Sequence, residues 1–264
     1  MIKRSTVVDE VRPGARAHDA PFVVFDLDGT LVRAGSELQR HHMGAMAAAI
    51  AAVVGDACSF RYVGGQLYYG PIDLAGFTDA GTVTAALRHH GVPPKDIVRL
   101  LPGIIADMVR RLESAGSTTA TGRAGDLLPG ARELLEYLRN NGIRSGMSTG
   151  NAQAVAYWKM RQVGLDHVLS RGGFGDVEVD RRGIASAAVA AMTLDRGGPG
   201  VLVGDTVADV TAASSAGLAC VAVTTGAATA AQLLAAGADV VLDGLDSDKA
   251  RQALRSLVSR QLRD

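Results

Sequence analysis

From Leu127 to the C-terminus the sequence alternates between short apolar runs and amphipathic stretches, and no other feature restricts the fold as much. Pro129 opens a segment in which Ala131, Leu134, Leu135 and Leu138 recur at helical spacing and which stops at Asn140-Asn141-Gly142. A strand is predicted at Ile143 to Ser148, followed by a helix that starts near Asn151, buries Val155, Ala156, Met160 and Val163, and stops at Gly164. A helix at Ile184 to Leu194, the strand "VLVGD" (201–205) and a helix at Val207 to Ser215 come next. The strand "ACVAV" (219–223), a short helix, the strand "DVVL" (239–242) and a last helix from Asp248 complete the series. Strands and helices at this interval imply right-handed crossovers. The expected fold is α/β, a Rossmann-like parallel sheet with helices on both faces.

One further strand lies far upstream, in "FVVFDLDGTLV" (22–32). Between it and Arg123 the pattern shows helices at Leu38 to Val54, Gly81 to His90 and Lys95 to Ser114, joined by the Gly-rich connection "YVGGQLYYGPIDLAGFTDAG" and no strand series. The stretch "SAGSTTATGRAG" (114–125) has linker composition. The predicted organisation is a mobile N-terminal extension (1–20), an α/β core from 21–32 and 124–264, and a helical cap (33–123) inserted after the first strand. Open parallel sheets bind ligands at the C-terminal strand ends, so such an insert would sit over the mouth as a cap.

With 27 basic and 27 acidic residues the chain has no net charge, which argues against a general nucleic-acid or membrane-surface binder. The N-terminal twenty residues lack the apolar core of a signal peptide, and the Ala-rich run from Met43 to Val54 is too short to cross a bilayer. Cys58 and Cys220 lie far apart without metal-ligand spacing and read as thiols of a reducing compartment. The expected location is cytoplasmic; the oligomeric state is not legible.

Function is concentrated at strand ends. The first strand runs into Asp26, with Asp28 two places on, and "VLVGDTVADV" ends in Asp205 with Asp209 in the first turn of the next helix. Like charges held this close are costly to bury unless a cation lies among them. Several carboxylates at neighbouring strand ends form a hard oxygen site suited to Mg²⁺. The segment Ser148-Thr149-Gly150-Asn151 brings hydroxyl, glycine and free N–H groups to a helix start, an anion site. Arg181 or Arg182, at the head of the helix leading to "VLVGD", can reach the same anion. Lys159 is the rival, but it lies about 12 Å down the preceding helix, which argues against it.

"DLDGTL" at 26–31, "STGN" at 148–151 and "GDTVAD" at 204–209, in this order, resemble the haloacid dehalogenase superfamily. "PGARELLEYLRNNG" and the run from "GLDHVL" through "GGFGDVEVDRRG" are similar to its phosphatase-type, phosphoglycolate-phosphatase-like members with a helical cap. That group usually carries a lysine where Arg181 or Arg182 stands. The resemblance implies a Mg²⁺-dependent phosphomonoester hydrolase acting on a small phosphorylated metabolite. Asp26 would be the nucleophile, forming an aspartyl-phosphate, and Asp28 the general acid and base. It further implies Mg²⁺ held by Asp26, Asp205 and the backbone carbonyl of Asp28, with Asp209 acting through water or orienting the loop. Thr149, Gly150, Asn151 and Arg181 would hold the phosphoryl oxygens.

An acid at Asp28 suits a leaving alkoxide and is of no use to a dehalogenase. Lys95 alone represents lysine in the insert, which disfavours a Schiff-base phosphonate cleavage. A phosphomutase of the same superfamily and a non-catalytic phospho-ligand-binding member remain as alternatives. In the cap, "GFTDAG" (76–81) is the expected substrate-facing loop, with Phe77, Thr78 and Asp79 as contacts. Phe77 stands where related phosphatases carry a basic residue, although Thr78 or Asp79 could equally cap the next helix. Tyr62, Tyr68 and Tyr69 could line the cap cleft or pack it, and packing is the favoured reading.

Overall fold

The computed structural model describes residues 21–261 apart from 65, 117–123, 170, 177, 179, 194–199 and 247. The expected N-terminal extension (1–20) and most of the predicted linker lie outside the described residues. Six strands form a parallel sheet: β1 (Phe22–Phe25), β5 (Arg144–Ser148), β6 (Gly172–Gly173), β7 (Gly200–Gly204), β8 (Ala219–Val223) and β9 (Val240–Leu242), in the order β6-β5-β1-β7-β8-β9. β1 lies between β5 and β7, with Phe22 in register with Arg144 on one side and Gly200 on the other.

β1, β7 and β8 are apolar because both faces of the sheet are covered. Val23, Phe25, Val201, Val203, Val221 and Val223 point to one face, into a cluster that includes Leu134 and Leu138 of α4 (Ala131–Asn140) and Leu254 and Leu257 of α9 (Asp248–Gln261). Phe22, Val24, Leu202 and Ala222 point to the other. There they meet Ala185, Ala188 and Met192 of α6 (Arg181–Thr193), Val210 of α7 (Val207–Ser215) and Leu233 of α8 (Ala230–Ala235). The remaining core helix is α5 (Gln153–Gln162), which follows β5.

The described part of the insert that follows the loop after β1 forms the cap. Its helices are α1 (Glu37–Val54), started by the Ser36 side chain accepting from Gln39 N–H and closed by Gly55 at φ 78°, α2 (Asp79–His89) and α3 (Pro94–Gly116). It is not purely helical. The connection expected to be a loop folds into a three-stranded antiparallel sheet, β2 (Phe60–Val63), β3 (Gln66–Tyr69) and β4 (Ile72–Asp73). The glycines that suggested a loop serve as its turns: Gly64 (φ 59°) follows β2 and Gly70 (φ 55°) separates β3 from β4. The strands are too short to show a period, although Phe60, Tyr62, Tyr68 and Tyr69 supply β-favouring side chains.

Among the described residues, hydrogen bonds stitch cap to core behind the first strand and at the mouth. Arg33 N–H donates to Asp126 O, and Leu38 N–H donates to the Asp126 carboxylate. At the mouth, Asp79 N–H donates to Gly150 O (2.7 Å), Ala80 N–H to Gly175 O (2.9 Å), and Ala152 N–H to the Asp79 carboxylate (2.7 Å). Cys58 and Cys220 are both free. Among the described residues no helix is long and apolar enough to cross a membrane.

Candidate active site

The ends of β5, β1 and β7 are adjacent, so the three segments singled out by their polar residues meet. Asp26 follows β1, Asp205 follows β7, and Asp209 lies in the first turn of α7; all three are buried. One carboxylate oxygen from each lies within 4.8 Å of the others. Glycine is obligatory around Asp205: a Cβ at Gly226 would stand 1.7 Å from its Oδ2, and one at Gly29 2.3 Å. Thr30 Oγ1 donates to Asp205 Oδ1 at 3.0 Å. Asp209 has two tasks. Its Oδ2 accepts from Thr206 N–H and Oγ1, closing a capping box, while Oδ1 faces the site.

Arg181 supplies the positive charge. Its Nη1 donates to Asp26 Oδ1 at 2.9 Å and Asp209 Oδ1 at 3.0 Å, and its Nε to Gly76 O at 3.2 Å. Arg182 points away and pairs with Asp180 at the exposed surface, so Arg181 is the arginine of the site. Burial pushes the Asp26 carboxyl up, Arg181 opposes this, and the charges of Asp209 and Asp28 add to the rise, leaving it at about 6. Asp205 is raised well above the carboxylate range by burial and by the Asp26 and Asp209 charges. Arg181 is held firmly charged: burial opposes this, and the carboxylates around it prevail.

Asp28 belongs to a second cluster. Lys159 Nζ donates to both Asp28 oxygens (2.7 and 2.5 Å) and to Asn151 Oδ1 (2.7 Å), and is fully buried. Asn151 Nδ2 in turn donates to Asp28 Oδ2 (3.0 Å) and to Thr149 Oγ1 (2.8 Å). Burial pushes Asp28 up, but the charge and hydrogen bonds of Lys159, with smaller help from His42 and Asn151, hold it below the usual carboxylate range. Lys159 therefore enters the site, against the sequence expectation. The helix begins at Gln153 rather than Asn151, so the residue lies about 9 Å along it, and a helical Cβ leans back toward the N-terminus. The long lysine stem closes the gap.

A cavity of about 130 Å³ opens between cap and core over these groups. Asp26, Asp28, Asp205, Arg181, Gly150 and Asn151 line it from the core. Thr149 is fully buried beneath, hydrogen-bonded within the 148–151 loop. Of the three cap residues expected to face substrate, Phe77 and Asp79 line the cavity. Thr78 does not: it is buried, and its Oγ1 accepts Gly81 N–H as the N-cap of α2. Tyr62, read from sequence as packing, lines the cavity. His42 does too, with Nε2 3.2 Å from Asp79 Oδ2 but no hydrogen-bond geometry at either ring nitrogen. The histidine pairs 41–42 and 89–90 read from sequence as exposed helix residues without a role, but His42 is buried on the inner face of α1, beside Leu38, Met43 and Met46, and that helical spacing was the available signal.

A family model of haloacid dehalogenase-like hydrolases matches residues 22–217, from the first strand through α7. The chain is a haloacid dehalogenase-like hydrolase. Comparison with functionally curated proteins yields no match. Solved structures of similar fold include a beta-phosphoglucomutase from Clostridium difficile (15% identity, TM-score 0.61, covering 92% of this chain and 99% of that one). CbbY from Rhodobacter sphaeroides, in complex with phosphate, is 20% identical with a TM-score of 0.58 (86% and 96%). A phosphonoacetaldehyde hydrolase-like protein from Oleispira antarctica is 16% identical with a TM-score of 0.59 (98% of each). At these identities the likeness is one of fold. Within the hydrolase family's architecture, the inserted cap covers the C-terminal strand ends, where the acidic triad lies. That triad is capable of coordinating a divalent metal.

Proposed function

We propose that this hydrolase cleaves a small phosphorylated metabolite, a phosphomonoester, with Mg²⁺ and through an aspartyl-phosphate on Asp26. One observation supports this above the rest: two carboxylates two residues apart stand in opposite surroundings, Asp26 among acids and Arg181, Asp28 against Lys159. Separate environments give two like groups separate tasks. The donor set fits a small hard cation, since three buried carboxylate oxygens converge and the Arg181 guanidinium already bridges two of them. Mg²⁺ held by Asp26 and Asp205, with Asp209 behind and the backbone carbonyl of Asp28 as a further ligand, would neutralise charge on the phosphoryl oxygens.

Asp26 then attacks phosphorus, and the bond from phosphorus to the ester oxygen breaks. The departing alkoxide takes a proton from Asp28. A phosphoryl dianion brought against Asp28 works in the opposite sense to Lys159 and favours the protonated carboxyl needed for this step. In the second half Asp28 accepts a proton from the water that attacks the acyl phosphate, and Asp26 is released with inorganic phosphate. Arg181 and the Gly150 backbone, which line the cavity, hold the non-reacting oxygens, and the buried Thr149, expected to join them, instead fixes Asn151.

The test is phosphate release from a panel of phosphorylated metabolites with Mg²⁺, wild type against Asp26→Asn. Release by wild type alone supports the proposal. Isomerised phosphate esters without free phosphate would instead indicate a phosphomutase, and equal release by both proteins would show that Asp26 is not the nucleophile.

A further inference from the structure

The acidic mouth has a counterpart of opposite sign. At the N-terminal end of β5 an open pocket of about 480 Å³ lies between the α4–β5 connection, the α5–β6 connection and the end of α6. Arg139, Arg144, Arg171 and His167 line it, and among the described lining residues there is no Asp or Glu. Ile143 and Met192 supply an apolar wall between the charges.

Two of the arginines are set in place by the sheet. Arg144 heads β5; its Nη1 donates to Met192 O, and its guanidinium stands 6.0 Å from the centre of the Phe22 ring. Arg171 precedes β6, where its carbonyl accepts Met147 N–H at 2.8 Å. The Arg139 and Arg171 side chains are exposed and engage no carboxylate among the described residues. Burial first, then the Arg171 charge, holds the Arg144 guanidinium below its usual value, so the two cations lie within reach of each other's field. A guanidinium keeps its proton, and repulsion between two of them is relieved by an anion rather than by ionisation. Its planar fork matches the paired oxygens of a phosphate or carboxylate.

We infer that this pocket binds a small molecule carrying at least two negative charges, as phosphate or carboxylate groups, at a site separate from the mouth. Ser148, at the other end of β5, is about 13 Å from Arg144. The ligand would thus touch the far ends of two elements that serve the mouth: β5, which leads into Thr149–Asn151, and α6, which starts with Arg181 and reaches the pocket at Met192. Its binding does not depend on which reaction the mouth performs.

The test titrates pyrophosphate and tricarballylate separately into the full chain without divalent metal, by calorimetry and by amide chemical shifts. At least one should bind saturably, with shifts at 139, 142–145 and 167–169, and which of them binds tells phosphate from carboxylate recognition. The double variant Arg139→Ala/Arg171→Ala, with an unchanged circular dichroism spectrum, should weaken that binding by at least about tenfold. Shifts confined to 148–151 and 205–209 would place the anion in the mouth alone and overturn the inference. So would unchanged affinity in the double variant, or saturable binding of neither compound. A thymidine oligonucleotide that binds while both small anions fail would mark the patch as a nucleic-acid surface instead, and equally overturn it. Should the double variant not fold, the shift map of the wild type still decides.

Discussion

The two sheets of this molecule are built to different standards. Every residue of β1 and β7 is buried, and the acids at their ends are held by opposite charges, by Thr30 and by glycines without room for a Cβ. In the cap, β2 alternates between half-buried and exposed positions, and its Tyr62 ends in an unpaired hydroxyl. Polar groups fixed before substrate arrives cost no reorganisation during reaction, which suits bond-breaking chemistry. In the proposed function the core fixes the reaction and the cap chooses the molecule, and changes on the two sides should separate accordingly.

The largest effect belongs to the core. Asp26→Asn is expected to lower turnover by more than about 10³-fold while leaving the fold intact, checked by phosphate release alongside circular dichroism. A surviving rate within tenfold of wild type would break the division of labour. Lys159→Met comes next. It leaves a carboxylate facing a buried apolar stem, and should cost about 3 kcal/mol in denaturant unfolding. The double variant with Asp28→Asn should recover most of that loss; no recovery would mean that the lysine stabilises through packing alone.

On the seam, Asp79→Ala removes the acceptor of Ala152 N–H and the neighbour of His42, for an expected loss of about 1–3 kcal/mol. Because the contact joins cap to core, amide exchange should accelerate around residues 78–82 and 150–152 and stay unchanged in β7 and β8. The smallest effect concerns pH. A carboxyl raised by folding, as Asp26 is to about 6, adds stability below its unfolded value of 3.8 that is lost as pH rises through 6. Asp205 is raised in the same sense, whereas Asp28 acts oppositely and loses its contribution as pH falls. Mg²⁺ needs Asp26 and Asp205 deprotonated, so its stabilisation should be greater at pH 7.5 than at pH 5 by about 1–2 kcal/mol. A thermal shift independent of pH would place the cation elsewhere.

The core was legible because its signals are local. An apolar run that ends in an acid marks a strand end wherever it occurs, and the helix α7 lies at Val207–Ser215 as its pattern predicts. The resemblance had pointed to Arg181 while the residues alone left Arg182 open, and only the structure shows Arg181 against Asp26 and Asp209 with Arg182 paired to Asp180 at the surface. β6 escaped notice because Gly172-Gly173 has no strand propensity; the glycines are there because a Cβ at Gly172 would sit 2.1 Å from Met147 O. The cap sheet was missed for a similar reason, its strands being shorter than the turns' glycines are conspicuous. Lys159 was misjudged because distance was counted along the helix axis, leaving out the direction and length of the side chain.

The order of the strands also bears on how the molecule comes into being. Among the described strands β1 is the first to be made, yet its neighbours β5 and β7 follow only after the cap, and Asp209 later still. Until then the apolar stretch from Phe22 to Phe25 has no native partner, and its late pairing is the kind that slows folding and exposes sticky intermediates. A truncated chain ending before β7 would lack Asp205 and Asp209 as well as a side of β1. Such a fragment would be both aggregation-prone and unable to assemble the acid triad, so the most vulnerable stage of synthesis is also chemically silent.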